Sequence, residues 1–100
     1  MTRYFAVRRV RGSTWNWSRP MRGQVLWDAH ARFMNALAAE GVVVLGGPVG
    51  EGGEETLLVI DADSEQTVRA RLATDPWTQI GLLEIARVEL WTILLDSRAP

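Results

Sequence analysis

The sequence contains no cysteine and only one histidine. Without cysteine there can be no disulfide, thiolate nucleophile or thiolate metal ligand. A single histidine leaves only carboxylates to complete a metal site, so we expect no bound metal, nor do we expect a cofactor. No run of about 18 apolar residues is present, which argues against a membrane span. The N-terminus lacks the apolar segment of a signal peptide, so the cytoplasm is the expected location.

The length of 100 residues predicts a single domain covering 1–100. Apolar residues make up 47% of the chain, which is enough for a hydrophobic core. A domain this small retains only a modest margin of stability over its conformational entropy. Sharing a core with a partner chain would therefore help it.

Charge is distributed unevenly along the chain. Residues 1–27 hold six arginines and no acid, whereas residues 28–100 hold five arginines and twelve acids, giving +6 and −7. A basic segment of this kind could bind nucleic acid. The interpretation we favour is that the basic and acidic surfaces face each other within a fold or dimer, so we expect no nucleic-acid partner.

Hydrophobic patterning predicts four strands and two helices. The strands are expected at Tyr4–Arg11, Val42–Leu45, Thr56–Ile60 and Leu82–Leu95. The first helix is expected from about Met21 to Glu40, with Ser18 or a neighbour as its cap, Pro20 in its first turn and Gly41 after its end. The second runs from a cap at Asp63 or Ser64 to about Ala73, where Asp75-Pro76 ends it.

The order β-α-β-β-α-β predicts an α+β, ferredoxin-like fold with a four-stranded antiparallel sheet. Right-handed crossovers place both helices on one face of that sheet. The second and third strands are apolar on both sides, although a helix-free face in contact with water would be polar. The pattern therefore predicts a homodimer whose sheets pack face to face.

Three connections are expected at the same end of the sheet: residues 12–20, residues 46–54 and residues 75–81. The helices are antiparallel, so Asp75 at the end of the second should lie near Trp27 and His30 on the first. A histidine with a carboxylate partner is a plausible general acid/base. The alternative is a buried core histidine beside a helix-capping aspartate.

Other residues at this end are candidates for binding a substrate. Trp15, Trp17, Trp27 and Trp77 could line an aromatic pocket, or serve as core or interface bulk. Gly47 and Pro48 lie in a glycine-rich connection that we interpret as a turn or a close backbone contact. Arg8, Arg19 or Arg22 could hold a carboxylate, although a surface or interface ion pair is the favoured role for them.

Several of these residues together resemble the YCII-related family. They are the run Trp27-Asp28-Ala29-His30-Ala31-Arg32-Phe33-Met34, then Gly46-Gly47-Pro48, then Asp75-Pro76-Trp77, with Gly81 and a closing strand around Trp91. The resemblance covers most of the chain and implies a dimeric α+β barrel, a fold shared with muconolactone isomerases and small cofactor-free monooxygenases. It also implies an active-site pair formed by His30 and Asp75. Where the family commonly has phenylalanine after Asp-Pro, this chain has Trp77.

Few activities of this family are assigned, and one is a dehydrochlorinase of aromatic degradation. Our leading hypothesis is a cofactor-independent lyase or isomerase acting on a small ring-containing anion, with His30 moving a proton and Asp75 orienting it. A non-catalytic ligand-binding or regulatory dimer is the first alternative. A cofactor-free monooxygenase is the second, and a nucleic-acid binder the third.

Overall fold

The computed structural model describes residues 3–98; residues 1–2 and 99–100 of the predicted domain lie outside the described residues. Its sheet has four antiparallel strands, β1 (Tyr4–Arg11), β2 (Val43–Val49), β3 (Glu55–Asp61) and β4 (Leu83–Trp91). They are arranged in the order β2-β3-β1-β4. The predicted ferredoxin-like order of elements is therefore confirmed.

The α-helices are α1 (Trp27–Ala39), α2 (Glu65–Ala73) and the single turn α3 (Pro76–Gln79). Gly41 follows α1 with φ +80°, and Val42 N–H donates to the Leu37 carbonyl at 2.9 Å, which closes the helix end. Ser64 caps α2, because its hydroxyl accepts from the Thr67 N–H at 3.1 Å. No helix in residues 3–98 is long and apolar enough to cross a membrane.

The prediction that α1 begins at Met21 is wrong, because the helix begins at Trp27. Residues 21–23 form a separate 3-10 turn, and Leu26 takes a left-handed conformation with φ 61° before the helix starts. The cause is tertiary: the Gln24 side chain donates to the carbonyls of Asn16 at 2.7 Å and Arg19 at 3.0 Å. This ties residue 24 into the preceding loop, and Leu26 is left exposed.

The main core lies between one face of the sheet and the helices. Alternate residues of β1 and β3 point into it and meet α1 and α2 in one cluster, formed by Phe5, Val7, Leu58, Ile60, Leu37, Val68 and Leu72. Both helices therefore cover the same face, as predicted. A second cluster at one end of the sheet contains Trp15, Trp77, Leu82 and Leu83.

Strand β2 is longer than predicted, because Gly46, Gly47 and Pro48 continue it instead of forming a turn. Proline is tolerated there because β2 is an edge strand. A Cβ on Gly46 would lie 2.6 Å from a methyl of Leu58, so the expected close contact occurs at Gly46, whereas Gly47 has open space. The turn itself is confined to the residues between β2 and β3.

Strand β4 is shorter than predicted and ends at Trp91 instead of Leu95. Leu94 and Leu95 are almost fully exposed, and residues 92–98 form no further strand. Within residues 3–98, the pairing of β4 with β1 ends at Tyr4 opposite Trp91.

Candidate active site

His30 and Asp75 meet at the end of the sheet where the predicted connections gather. His30 lies in the first half of α1, and Asp75 precedes α3. The Nδ1 atom of His30 is 2.9 Å from each carboxylate oxygen of Asp75. Asp75 also accepts the Trp77 N–H at 2.9 Å, so it caps α3 and holds the histidine at the same time.

Asp75 is fully buried, yet three donors surround it. Burial by itself raises the pKa of the Asp75 carboxyl. Hydrogen bonds from His30, Arg9 and the Trp77 backbone, together with the charge of Arg9, outweigh that effect and hold the pKa below its ordinary value. The carboxylate is therefore ionised at neutral pH.

Arg9 is the residue that the sequence interpretation missed. Its side chain is 1% exposed, and one guanidinium nitrogen donates to Asp75 at 2.7 Å and to the Thr78 hydroxyl at 2.9 Å. Its Nε is the one buried side-chain N or O atom in residues 3–98 without a hydrogen-bond partner. The sequence does contain a signal for its burial. Side chains of β1 alternate between the two faces of the sheet, and Arg9 shares the core-facing side with Phe5 and Val7.

The candidate Arg8 points to the opposite face of the sheet. It pairs with Glu55 at 3.5 Å on the surface and does not line the cavity described below, which corrects its predicted position. The ion pair, which the sequence favoured over carboxylate binding for this arginine, is the role observed. Arg19 also lies outside that cavity, and Arg22 stands over the Trp27 ring at 5.8 Å.

The imidazole of His30 is held in a fixed orientation by its neighbours. It stacks on Trp77 with ring centroids 3.9 Å apart and planes 6° apart, and Trp27 lies on another side at 5.9 Å. Because ionised Asp75 can only accept, the network assigns the proton to Nδ1. In the neutral ring the lone pair is then on Nε2, which has no hydrogen-bond partner among residues 3–98.

A cavity of about 470 Å³ lies beside the histidine ring. That volume is in the range of sites for small organic ligands. The candidate residues that line it are His30, Trp15, Trp27, Trp77, Gly47 and Pro48, joined by Arg9 and Arg11. Trp17 does not line it, because its side chain is 64% exposed and lies against Arg11.

The aromatic wall is built on Trp77. Trp15 meets it edge-on with ring centroids 5.6 Å apart, and Trp27 lies at the same distance with a 48° tilt. The indole N–H of Trp77 donates to the Val25 carbonyl at 2.7 Å, so the ring cannot turn away. Each ring is thus both core bulk and cavity wall, and the two roles weighed from the sequence occur together.

The loop that carries Trp15 is joined tightly to the start of β4. Gly12 N–H donates to the Leu82 carbonyl at 2.8 Å, and a Cβ on Gly12 would collide with the Gly81 carbonyl. Only glycine allows this approach. No group of three or more His, Cys, Asp or Glu side chains within residues 3–98 is arranged to hold a metal ion.

Comparison with known proteins agrees with this architecture. A solved structure of 5-chloro-2-hydroxyhydroquinone dehydrochlorinase from Burkholderia phenoliruptrix AC1100, in complex with 2,5-dihydroxybenzoquinone, is similar to this chain. The match covers 97% of this chain and 99% of the dehydrochlorinase chain, with a TM-score of 0.55 and 22% sequence identity. That likeness supports the fold. No curated protein sequence matches significantly. The sequence profile of the YCII-related domain matches residues 6–92. This chain therefore belongs to the YCII-related domain family.

Proposed function

We propose that this protein is a cofactor-independent lyase or isomerase for a small ring-containing anion, with His30 as its general acid/base. The observation that carries the proposal is the position of the imidazole. One edge of the ring is bound to buried, ionised Asp75 at 2.9 Å, and the ring forms part of the wall of an aromatic cavity. A base must lie within reach of its proton and be held in the correct tautomer, and this arrangement favours both.

The proposed chemistry starts with Nε2 taking a proton from a ring carbon or hydroxyl of the substrate. Asp75 stabilises the imidazolium that forms, because it already accepts the Nδ1 proton. In a lyase the freed electron pair forms a new double bond, and the leaving group departs with its bonding pair. In an isomerase the imidazolium returns the proton at another position.

The similar dehydrochlorinase suggests which compounds to try first. Its name places it on a chlorinated hydroxyhydroquinone, and its structure contains a dihydroxybenzoquinone. A flat ring of that size fits a cavity of about 470 Å³ walled by Trp15, Trp27 and Trp77. We therefore propose hydroxylated and halogenated benzene derivatives as the substrate class.

The test is turnover of a panel of such compounds, followed by absorbance. His30→Asn should lower kcat by about 10²–10⁴-fold, the usual contribution of a general acid/base. Arg69→Gln, which breaks an exposed ion pair with Glu65 on α2 outside the cavity, should retain full activity and is the matched control. Asp75→Asn is less informative, because it also removes the ion-pair partner of buried Arg9.

Two other results would replace the proposal. If His30→Asn turns over substrate within a few-fold of the parent, the histidine is structural. If panel compounds bind and none reacts, the protein is the non-catalytic binding dimer weighed as an alternative. Dioxygen consumption during turnover would instead identify a monooxygenase.

We also propose that the open face of the sheet forms the contact between two copies of the chain. The strand register puts Leu45, Leu57, Val59, Ala6 and Trp91 on this face, opposite the helices. Leu45 is 53% exposed and Trp91 43% exposed. Exposed apolar side chains at both edges of one sheet face favour a partner that covers them.

The dimer should bury roughly 2,000 Å² or more, as stable homodimers do. Light scattering at micromolar concentration should give twice the chain mass, and Leu45→Glu should shift it toward the monomer. Val25→Glu changes an exposed apolar residue in a loop and should not. A monomeric parent protein would refute the proposal.

A further inference from the structure

Arg11 differs from the other arginine in the cavity wall because no carboxylate among residues 3–98 forms an ion pair with it. Arg9 is balanced by Asp75 at 2.7 Å. Arg11 instead donates one hydrogen bond, to the Gly53 carbonyl at 3.3 Å. A guanidinium has five N–H donors, so most of those on Arg11 remain free.

Two tryptophan rings hold this guanidinium in place. Its central carbon lies 4.5 Å from the Trp15 ring centroid and 5.1 Å from that of Trp17. Contacts of this kind orient a cation without neutralising its charge. Arg11 is therefore a positive group at the cavity that is held in place and has no carboxylate paired with it. Its contact with Trp17 also explains the position of that exposed ring.

Arg11 and His30 stand at different parts of one aromatic wall. Arg11 contacts Trp15, Trp15 contacts Trp77, and Trp77 stacks on His30. A flat ring lying along this wall could present one substituent to the guanidinium and another to Nε2. The same wall would contact the ring itself.

We propose that Arg11 binds the negatively charged oxygen substituent of the ligand, a carboxylate or a phenolate, and thereby selects anionic over neutral ring compounds. This rests on the proposed function and adds the group that would recognise the anion. An arginine can bind such an oxygen through two parallel N–H donors. The arginines considered from the sequence for binding a carboxylate do not line the cavity: they are Arg8, Arg19 and Arg22.

One acidic residue, Glu54, also lines the cavity. It is exposed, and it makes no ion pair with Arg11 or with any other cation in the described part of the chain. Its charge therefore opposes an incoming anion. Removing it should strengthen anion binding, whereas removing Arg11 should weaken it.

The experiment compares benzoate with benzamide, which have nearly the same shape but differ in charge. Binding to the full chain is followed by calorimetry or by the fluorescence of the cavity tryptophans. Benzoate should bind at least about tenfold more tightly, since a hydrogen bond to a charged group is worth about 1.5–3 kcal/mol. Arg11→Gln should abolish that preference, and Glu54→Gln should increase it.

Arg69→Gln is the matched control, because it removes an exposed arginine of α2 that does not line the cavity. Arg11→Lys keeps the charge but not the paired donors, so it should retain part of the preference. Circular dichroism would reveal whether Arg11→Gln fails to fold. In that case Arg11→Lys tests the contact between residue 11 and the anion. Full preference for benzoate in the lysine variant would then overturn the paired-donor contact.

Failure of this inference is distinguishable from failure of the proposed function. If Arg11→Gln keeps the preference for benzoate, or if benzamide binds the parent protein equally well, Arg11 does not select the anion. Turnover that depends on His30 would still stand in that case. If neither compound binds the parent protein, the role of Arg11 is refuted for simple ring acids, whereas the proposed function is decided by turnover of the hydroxylated and halogenated panel.

Discussion

Replacing Arg9 by methionine tests the network that holds the candidate active site. Arg9 and Asp75 are 1% and 0% exposed in their side chains, and their charged atoms are 2.7 Å apart. Methionine approximates the length of the aliphatic stem but removes the charge and every donor. Asp75 then remains buried and ionised, with only His30 and the Trp77 N–H to stabilise it.

Breaking a buried ion pair by removing one partner costs about 3–5 kcal/mol. We expect a loss of this size in the free energy of unfolding of Arg9→Met, measured by urea denaturation at pH 7. The matched control is Arg69→Met, which breaks a pair with Glu65 in which both side chains are 50% exposed. Exposed pairs contribute about 0–1 kcal/mol, so the two arginines should differ severalfold in cost.

A double-mutant cycle separates the charge from the packing. Asp75→Asn added to Arg9→Met removes the uncompensated carboxylate, so the double variant should be more stable than the sum of the single losses predicts. A loss of stability in Arg9→Met no larger than that in Arg69→Met would refute the reasoning. It is also refuted if the two losses are additive, because the carboxylate would then not depend on Arg9.

Three further predictions follow from the same contacts. The pKa of Asp75 is lower in the folded state than in the unfolded chain. The stabilisation that its carboxylate provides is therefore present above the unfolded pKa of about 3.9 and is lost as pH falls through the folded pKa. The free energy of unfolding should decline below about pH 5, and it should decline less in Asp75→Asn. Gly12→Ala should cost about 1–3 kcal/mol in thermal or urea unfolding, because its Cβ would collide with the Gly81 carbonyl, whereas Gly47→Ala, which has open space, should cost less. Duplex DNA should not bind below micromolar concentration at about 0.15 M salt, and a salt-sensitive complex in a gel-shift titration would contradict this.

The order of elements and the meeting of His30 with Asp75 were predictable because both depend on patterns within single elements. Apolar periodicity identifies the strands and helices, and antiparallel helices then bring residue 75 beside residue 30. Hydrogen bonding follows from that placement. The catalytic role of the pair stays a prediction.

Arg9 was harder to predict because its environment depends on distant residues. Its position in β1 puts it on the core-facing side, but a buried arginine is unfavourable unless a partner is present. The partner is Asp75, 66 residues further along the chain. Without that contact, the exposed neighbour Arg8 is as plausible a ligand for an anion as Arg9.

The start of α1 and the extent of β2 were misjudged for the same reason. Local signals around Pro20 favour a helix from Met21, but Gln24 bonds to the carbonyls of Asn16 and Arg19 instead. Glycine and proline in residues 46–48 favour a turn, yet an edge position accepts them in a strand. In both places tertiary contacts outweigh local preference.

The placement of β2 at the edge of the sheet has a consequence for how this protein could acquire new specificities. The His30–Asp75 pair is held by Arg9 on a central strand, whereas part of the cavity wall comes from Gly47 and Pro48 on the edge strand. An edge strand pairs on one side only, so substitutions there disturb few neighbours. The pair that we propose as acid/base can therefore stay constant while the wall is remodelled, and descendants of one ancestor could diverge in the ligand they bind.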